Sequence, residues 1–146
     1  MNTTPAYAAQ KKNSPVKPFS IQRRGVGPKD VRIEIDYCGV CHTDLHFVNN
    51  DWGISEYPVV PGHEIVGKVS EVGSQVTKFT EGDLGAIGCM VYSCGNCSSC
   101  ENGYEQYCLQ GFTATYNSPT EDPGGVTFGG YSKAIVADES FILQIP

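Results

Sequence analysis

Residues Val31, Ile33, Ile35 and Tyr37 alternate with Arg32, Glu34 and Asp36. Apolar positions two apart lie on one face of an extended chain, so the pattern predicts a half-buried strand. Shorter apolar runs predict further strands through Ile65–Val72, Leu84–Gly88, Tyr131–Ala137 and Phe141–Ile145. A single helix is expected, beginning near Thr43. Glycine (17) and proline (9) are spread along the 146 residues and leave little room for long helices. Many short strands with Gly/Pro turns predict a mainly β fold, in the form of a partly closed β-barrel. Residues 1–18 read as a loose lead-in with one strand, residues 19–146 as one domain, and 111–130 as a polar, Gly-rich loop. There is no internal repeat and no low-complexity segment.

Charge narrows the possible partners. The formal charge is −6, and the basic residues cluster only as the pairs Lys11-Lys12 and Arg23-Arg24, so no nucleic-acid partner is expected. No apolar run approaches the ~18 residues of a membrane span. The opening Met1-Asn2-Thr3-Thr4-Pro5-Ala6 lacks the apolar core of a secretory signal. A cytoplasmic protein with reduced thiols is therefore expected.

That expectation decides how the cysteines are read. Cys94, Cys97, Cys100 and Cys108 follow the spacing C-x2-C-x2-C-x7-C, separated early on by Gly, Asn and Ser that let a short loop curl. Four thiolates surround one tetrahedral ion, and Zn²⁺ prefers that shell. Such a site is closed and holds structure, here as a lobe over residues 93–110. The rival reading is two disulfides, which a reducing compartment disfavours.

A second group of ligand-competent residues precedes the lobe: Cys38, Cys41, His42, Thr43, Asp44 and His46, then His63 and Glu64 at the head of a strand. Catalytic zinc takes three protein ligands and leaves one position open. Cys41 and His63 supply two of them. Cys38 and Cys41 also form a C-x-x-C pair, but no βαβ pattern surrounds them, and Cys38 reads as a small buried hydrophobe. A lone histidine is more often structural; the Gly62-His63-Glu64 setting favours a ligand.

These residues carry a resemblance. Gly62-His63-Glu64-x2-Gly67-x5-Gly73-x2-Val76 resembles the zinc-containing alcohol dehydrogenase pattern. Cys41 to His46 and the four-cysteine lobe occur there in the same order. The stretches from Tyr37 to His46 and Phe112 to Asn117, Trp52, and Gly129-Gly130-Tyr131-Ser132 resemble the cinnamyl alcohol dehydrogenase-like branch. The resemblance implies a GroES-like barrel, the catalytic domain of a medium-chain dehydrogenase. It also implies catalytic and structural Zn²⁺, NADP or NAD as cofactor, an alcohol or aldehyde substrate, and a homodimeric parent.

Roles follow by resemblance. Cys41 and His63 are implied as catalytic-zinc ligands, with Glu64 beside the ion. Asp44 resembles the carboxylate that orients the zinc-bound histidine, and could instead cap the following helix. Thr43 resembles the hydroxyl that hydrogen-bonds the substrate oxygen, where zinc acts as a Lewis acid. His46 resembles the terminal base of the proton route, a task suited to a side chain that changes charge near neutrality. His42 resembles a contact to cofactor pyrophosphate. Trp52 resembles an aromatic wall of the substrate pocket, against the alternative of ordinary core packing.

No G-x-G-x-x-G occurs in the 146 residues. The resemblance implies that a third ligand cysteine, a Rossmann domain and a returning stretch lie beyond Pro146, so this polypeptide is expected to be an incomplete catalytic domain. Cys89, before Met90-Val91, reads as a strand residue and not as that ligand. Gly85 departs from the valine general in the family, at an expected cost on the order of 1 kcal/mol in strand stability. The alternative function is a non-catalytic zinc-binding module. The set Cys41, Thr43, His46 and His63 favours an enzyme, since a module has no use for a proton route.

Overall fold

The computed structural model describes residues 2–146. The elements run β1 (Asn2–Ala8), β2 (Lys17–Arg23), β3 (Asp30–Cys38), α1 (His42–Asn49), β4 (Ile65–Val72), β5 (Leu84–Ile87), β6 (Met90–Tyr92), α2 (Ser98–Glu101), β7 (Thr113–Ala114), β8 (Ala134–Asp138) and β9 (Leu143–Gln144). The main sheet is antiparallel in the order β8-β3-β4-β5-β9, flanked by the pairs β1-β2 and β6-β7. The fold is mainly β, as expected. Among the described residues, no helix is long and apolar enough to cross a membrane.

The alternation in β3 places Val31 and Ile33 against Ile65, Val69, Ile135 and Ala137, with Phe79, Ile87 and Ile142 closing the core. Burying each such branched or aromatic side chain stabilises by about 1.5–3 kcal/mol. A second cluster, formed by Ala6, Ala8, Ile21, Val60 and Phe128, joins β1-β2 to the approach to β4.

Several local expectations are corrected. Tyr37 is 77% exposed and does not share the inward face of Val31 and Ile33. The ladder between β3 and β4 shifts register between Ile35 and Tyr37, and the irregularity reverses the phase so that Cys38 packs on the core. The stretch read as a loose lead-in carries its strand over Asn2–Ala8, and Thr4, Ala6 and Ala8 are buried there. The strand expected at Tyr131 begins at Ala134, because the N–H of Tyr131 is taken by the Pro61 carbonyl (2.9 Å). The last strand is short: Glu139–Phe141 forms a 3-10 turn, capped where the Asp138 carboxylate accepts from the Ser140 N–H at 2.9 Å. Cys89 is exposed on the bend before β6.

Gly85 has a packing reason. It is buried in β5 with Gly67 on one side and Gln144 on the other. A methyl group there would meet Ile142 Cγ2 and Ile33 Cδ1, each at 3.0 Å. Two isoleucines already occupy the volume that a side chain would take, which offsets the backbone freedom that glycine introduces.

Candidate metal centres

The four-cysteine lobe is built by turns. Gly95, Gly103 and Gly111 adopt positive φ, and α2 with a 3-10 turn at Glu105–Tyr107 brings the thiols together. The four Sγ atoms lie within 4.8 Å of one another. Cys94 and Cys100 are separated by 3.9 Å, and Cys97 and Cys100 by 3.5 Å. A tetrahedral ion with metal–sulfur bonds of about 2.3 Å has edges of roughly 3.8 Å, so the set fits zinc. All seven cysteines are free. Backbone N–H groups point at the sulfurs: Cys94 N–H at Cys108 (3.5 Å) and Leu109 N–H at Cys97 (3.4 Å). The N–H groups of Cys100 and Leu109 hold the Cys97 thiol down at about 6, and that of Cys94 lowers Cys108. These donors favour the thiolate, the form that binds metal, at Cys97 and Cys108, whereas at Cys94 the Asn96 N–H is outweighed by burial and by the Cys108 and Cys97 thiols, which push it up to about 11.

The second centre joins residues far apart in sequence. Ligand atoms of Cys41, His63 and Glu64 lie within 4.8 Å of one another, with Cys41 and His63 half-buried and Glu64 exposed. Cys41 is the N-cap of α1, extended at φ −103° and ψ 153°. His63 follows Gly62, whose φ of +101° suits glycine. A thiolate, an imidazole and a carboxylate form a donor set that fits zinc and leaves room for a further ligand.

Asp44 is 2% exposed and organises this corner. Its Oδ2 accepts from the Cys41 N–H (2.9 Å) and the Tyr131 hydroxyl (3.1 Å), and its Oδ1 from the Gly62 N–H (3.0 Å). These bonds cap the helix and fix the backbone beside both candidate ligands, Cys41 and His63. None of them reaches the His63 ring, so of the two readings of Asp44, helix capping is the one seen in the hydrogen bonds.

Thr43 and His46 lie one turn apart on α1, and the His46 Nδ1 sits 2.8 Å from Asp51 Oδ2. The His46 ring is 4.8 Å from both His42 and Trp52. His42 is exposed, and Trp52 is 51% exposed, so Trp52 is no core residue. Phe47 meets Trp52 at 5.3 Å and Tyr116 at 5.0 Å, and Tyr116 lies 5.4 Å from His63. An aromatic wall therefore runs from Trp52 to the His63 imidazole. Cys38 stands apart: burial pushes its thiol up to about 11, against redox chemistry with Cys41.

Sequence reasoning missed Asp51, Tyr116 and Tyr131 as parts of this site. Asp51 follows the left-handed cap Asn50 (φ 52°), and no spacing rule marks it as the partner of His46. Tyr116 and Tyr131 lie in the stretches quoted for the resemblance, yet their contacts arise only from the fold.

Residues 27–146 match the family described as "Alcohol dehydrogenase GroES-like domain". The NADP-dependent alcohol dehydrogenase C of Mycobacterium bovis is 52% identical over 146 residues, 100% of this chain and 42% of that protein. The aldehyde reductase YahK of Escherichia coli is 54% identical over 140 residues, 96% of this chain and 39% of that protein. Among solved structures, a cinnamyl alcohol dehydrogenase from Sorghum bicolor superposes with a TM-score of 0.94 at 42% identity, covering 99% of this chain and 41% of that one. The chain thus spans about two fifths of the length of the relatives it matches.

Proposed function

The chain belongs to the alcohol dehydrogenase GroES-like family, in its cinnamyl alcohol dehydrogenase-like branch, and from that premise we propose that it is the metal-holding catalytic domain of an enzyme interconverting primary alcohols and aldehydes with NADP(H). The observation that carries this reading is the convergence of Cys41, His63 and Glu64 at the end of an aromatic wall. The cofactor choice is supported by a relative named NADP-dependent and by a Helicobacter pylori homologue, 38% identical, solved with NADP(H).

Cys41 and His63, with Glu64 adjacent, would hold the catalytic zinc, and Cys94, Cys97, Cys100 and Cys108 the structural one. Bound zinc supplies Lewis acidity that favours negative charge on the substrate oxygen. The chain's own residues do the rest. Thr43, two residues after Cys41 in the first turn of α1, would offer its hydroxyl to the reacting oxygen. His46 donates its Nδ1 proton to Asp51, which leaves Nε2 as the acceptor of a proton passed outward. Trp52, Phe47 and Tyr116 exclude water and present flat apolar surface to an aryl or alkyl aldehyde. His42, exposed at the start of α1, would meet the cofactor's pyrophosphate, as the resemblance implies.

Metal stoichiometry tests this reading. The wild-type protein is expected to hold two zinc ions per chain, and Cys41→Ser one. A wild-type value of one, unchanged by Cys41→Ser, would favour a zinc-binding module without a catalytic centre.

A further inference from the structure

The segment Gly129-Gly130-Tyr131-Ser132 is bound on both of its backbone edges. On one edge its N–H groups meet the residues that lead into His63: Gly129 to the Val60 carbonyl (2.8 Å), Gly130 to that of Gly62 (2.8 Å) and Tyr131 to that of Pro61 (2.9 Å). The approach is close. A Cβ on Gly129 would collide with the carbonyls of Pro61 and Gly62, and one on Gly130 with Ile65.

On the other edge stands Arg23, from β2. Its Nη1 donates to the Phe128 carbonyl (2.7 Å), its Nη2 to the Gly129 carbonyl (3.0 Å) and Ser132 Oγ (2.9 Å), and its Nε to the Ala134 carbonyl (3.0 Å). Ser132 Oγ in turn donates to the Gly129 carbonyl (2.8 Å). Arg23 is 9% exposed, and among the described residues it forms no salt bridge. Burial lowers its guanidinium to about 9, still cationic at neutral pH. A buried cation satisfied only by neutral acceptors is a costly way to hold a loop. A planar fork that captures several oxygens at fixed angles fixes the geometry of that loop more tightly than packing alone.

Two routes lead from this clamp to the metal ligands. One passes through the backbone of Val60, Pro61 and Gly62 to His63. The other passes through the Tyr131 hydroxyl to Asp44, which holds the N–H groups of both Cys41 and Gly62. We propose that Arg23 is a positioning residue for the Cys41–His63 centre: by fixing the carbonyls of residues 128–134 it sets the separation of the Cys41 thiolate and the His63 imidazole. The inference rests on the reading that this pair holds a metal ion.

The test compares wild type with Arg23→Lys, which keeps the charge but loses the fork, and Tyr131→Phe, which removes only the hydroxyl. Co²⁺ is loaded, and the affinity of each site is measured by chelator competition, with the visible spectrum as a signature of ligand geometry. Both variants are expected to bind Co²⁺ about 10–100-fold more weakly at the Cys41–His63 centre, with an altered spectrum there and an unchanged four-cysteine lobe, the range usual for groups that support metal ligands. Wild-type affinity and spectrum in both variants would overturn the inference, as would equal weakening at both sites together with a lower Tm. If Arg23→Lys does not fold, Tyr131→Phe decides alone. A wild-type protein whose lobe fills while Cys41 and His63 take no metal would overturn the metal reading itself.

Discussion

His46 Nδ1 lies 2.8 Å from Asp51 Oδ2, so the carboxylate fixes which ring nitrogen carries the proton. Thr43 lies one turn earlier on α1, two residues after its N-cap Cys41. In an enzyme that includes this domain, Thr43→Ala is expected to lower kcat on the order of 10³-fold and His46→Ala on the order of 10²-fold, within the span of positioned acid–base groups. Water replaces a terminal base more readily than an oriented hydroxyl. Asp51→Asn should act in the same direction as His46→Ala and add little to it. Steady-state aldehyde reduction by the three single variants and the His46/Asp51 double variant checks this. A full additive loss in the double variant would mean that the two residues do not act as one unit.

The four-cysteine lobe has few apolar contacts of its own: Tyr104, Tyr107 and Leu109 are 57%, 69% and 72% exposed. Its order is therefore expected to depend on the shared thiolate shell as well as on its backbone turns. A closed structural site contributes ~10–16 kcal/mol of apparent binding energy in small zinc domains, and that becomes local folding energy. Cys97→Ser or chelation is expected to open residues 93–110 to protease while the five-stranded sheet still melts cooperatively. Unchanged protection of the lobe after metal removal would show that backbone turns alone hold it.

The parts legible in the sequence were those with a local code. Val31 and Ile33 alternate, Cys94 to Cys108 keep ligand spacing, and the helix at His42–Asn49 starts where expected. Most of the failures come from contacts remote in sequence. The inward residues of β1, Thr4, Ala6 and Ala8, are too small to give a hydrophobic signal, and they are buried because β2 and the 128–132 segment cover them. Tyr37 faces out through an irregularity imposed by pairing with β4. The role of Asp44 depends on Gly62 and Tyr131, which lie 18 and 87 positions away.

Hydride transfer needs the nicotinamide held against the reacting carbon, and positioning supplies much of the rate. The 146 residues contain no G-x-G-x-x-G to grip a dinucleotide. A polypeptide of these residues alone is expected to oxidise no NADPH with cinnamaldehyde above the zinc-free control. Joined to a dinucleotide-binding domain from a relative such as the E. coli aldehyde reductase, it is expected to gain turnover that Cys41→Ser or His63→Ala abolishes. Zinc-dependent turnover by the 146 residues alone would refute the division of labour proposed for this domain.

Gly85 yields a prediction opposite to the one that backbone propensity suggests. Glycine within a strand normally weakens it, so Gly85→Val should stabilise if propensity ruled. The space beside Gly85 is already taken by Ile33 Cδ1 and Ile142 Cγ2, each 3.0 Å from where a Cβ would stand. Both are fully buried core residues, at 0% and 3% exposure, with little room to retreat. Gly85→Val is therefore expected to destabilise by about 1–3 kcal/mol, the usual range for overpacking. Pairing it with Ile33→Val, which removes the facing methyl, should recover much of that loss. Urea denaturation of the two single variants and the double variant measures the coupling. A Gly85→Val protein more stable than wild type would show that the core yields around β5 and that propensity decides the position.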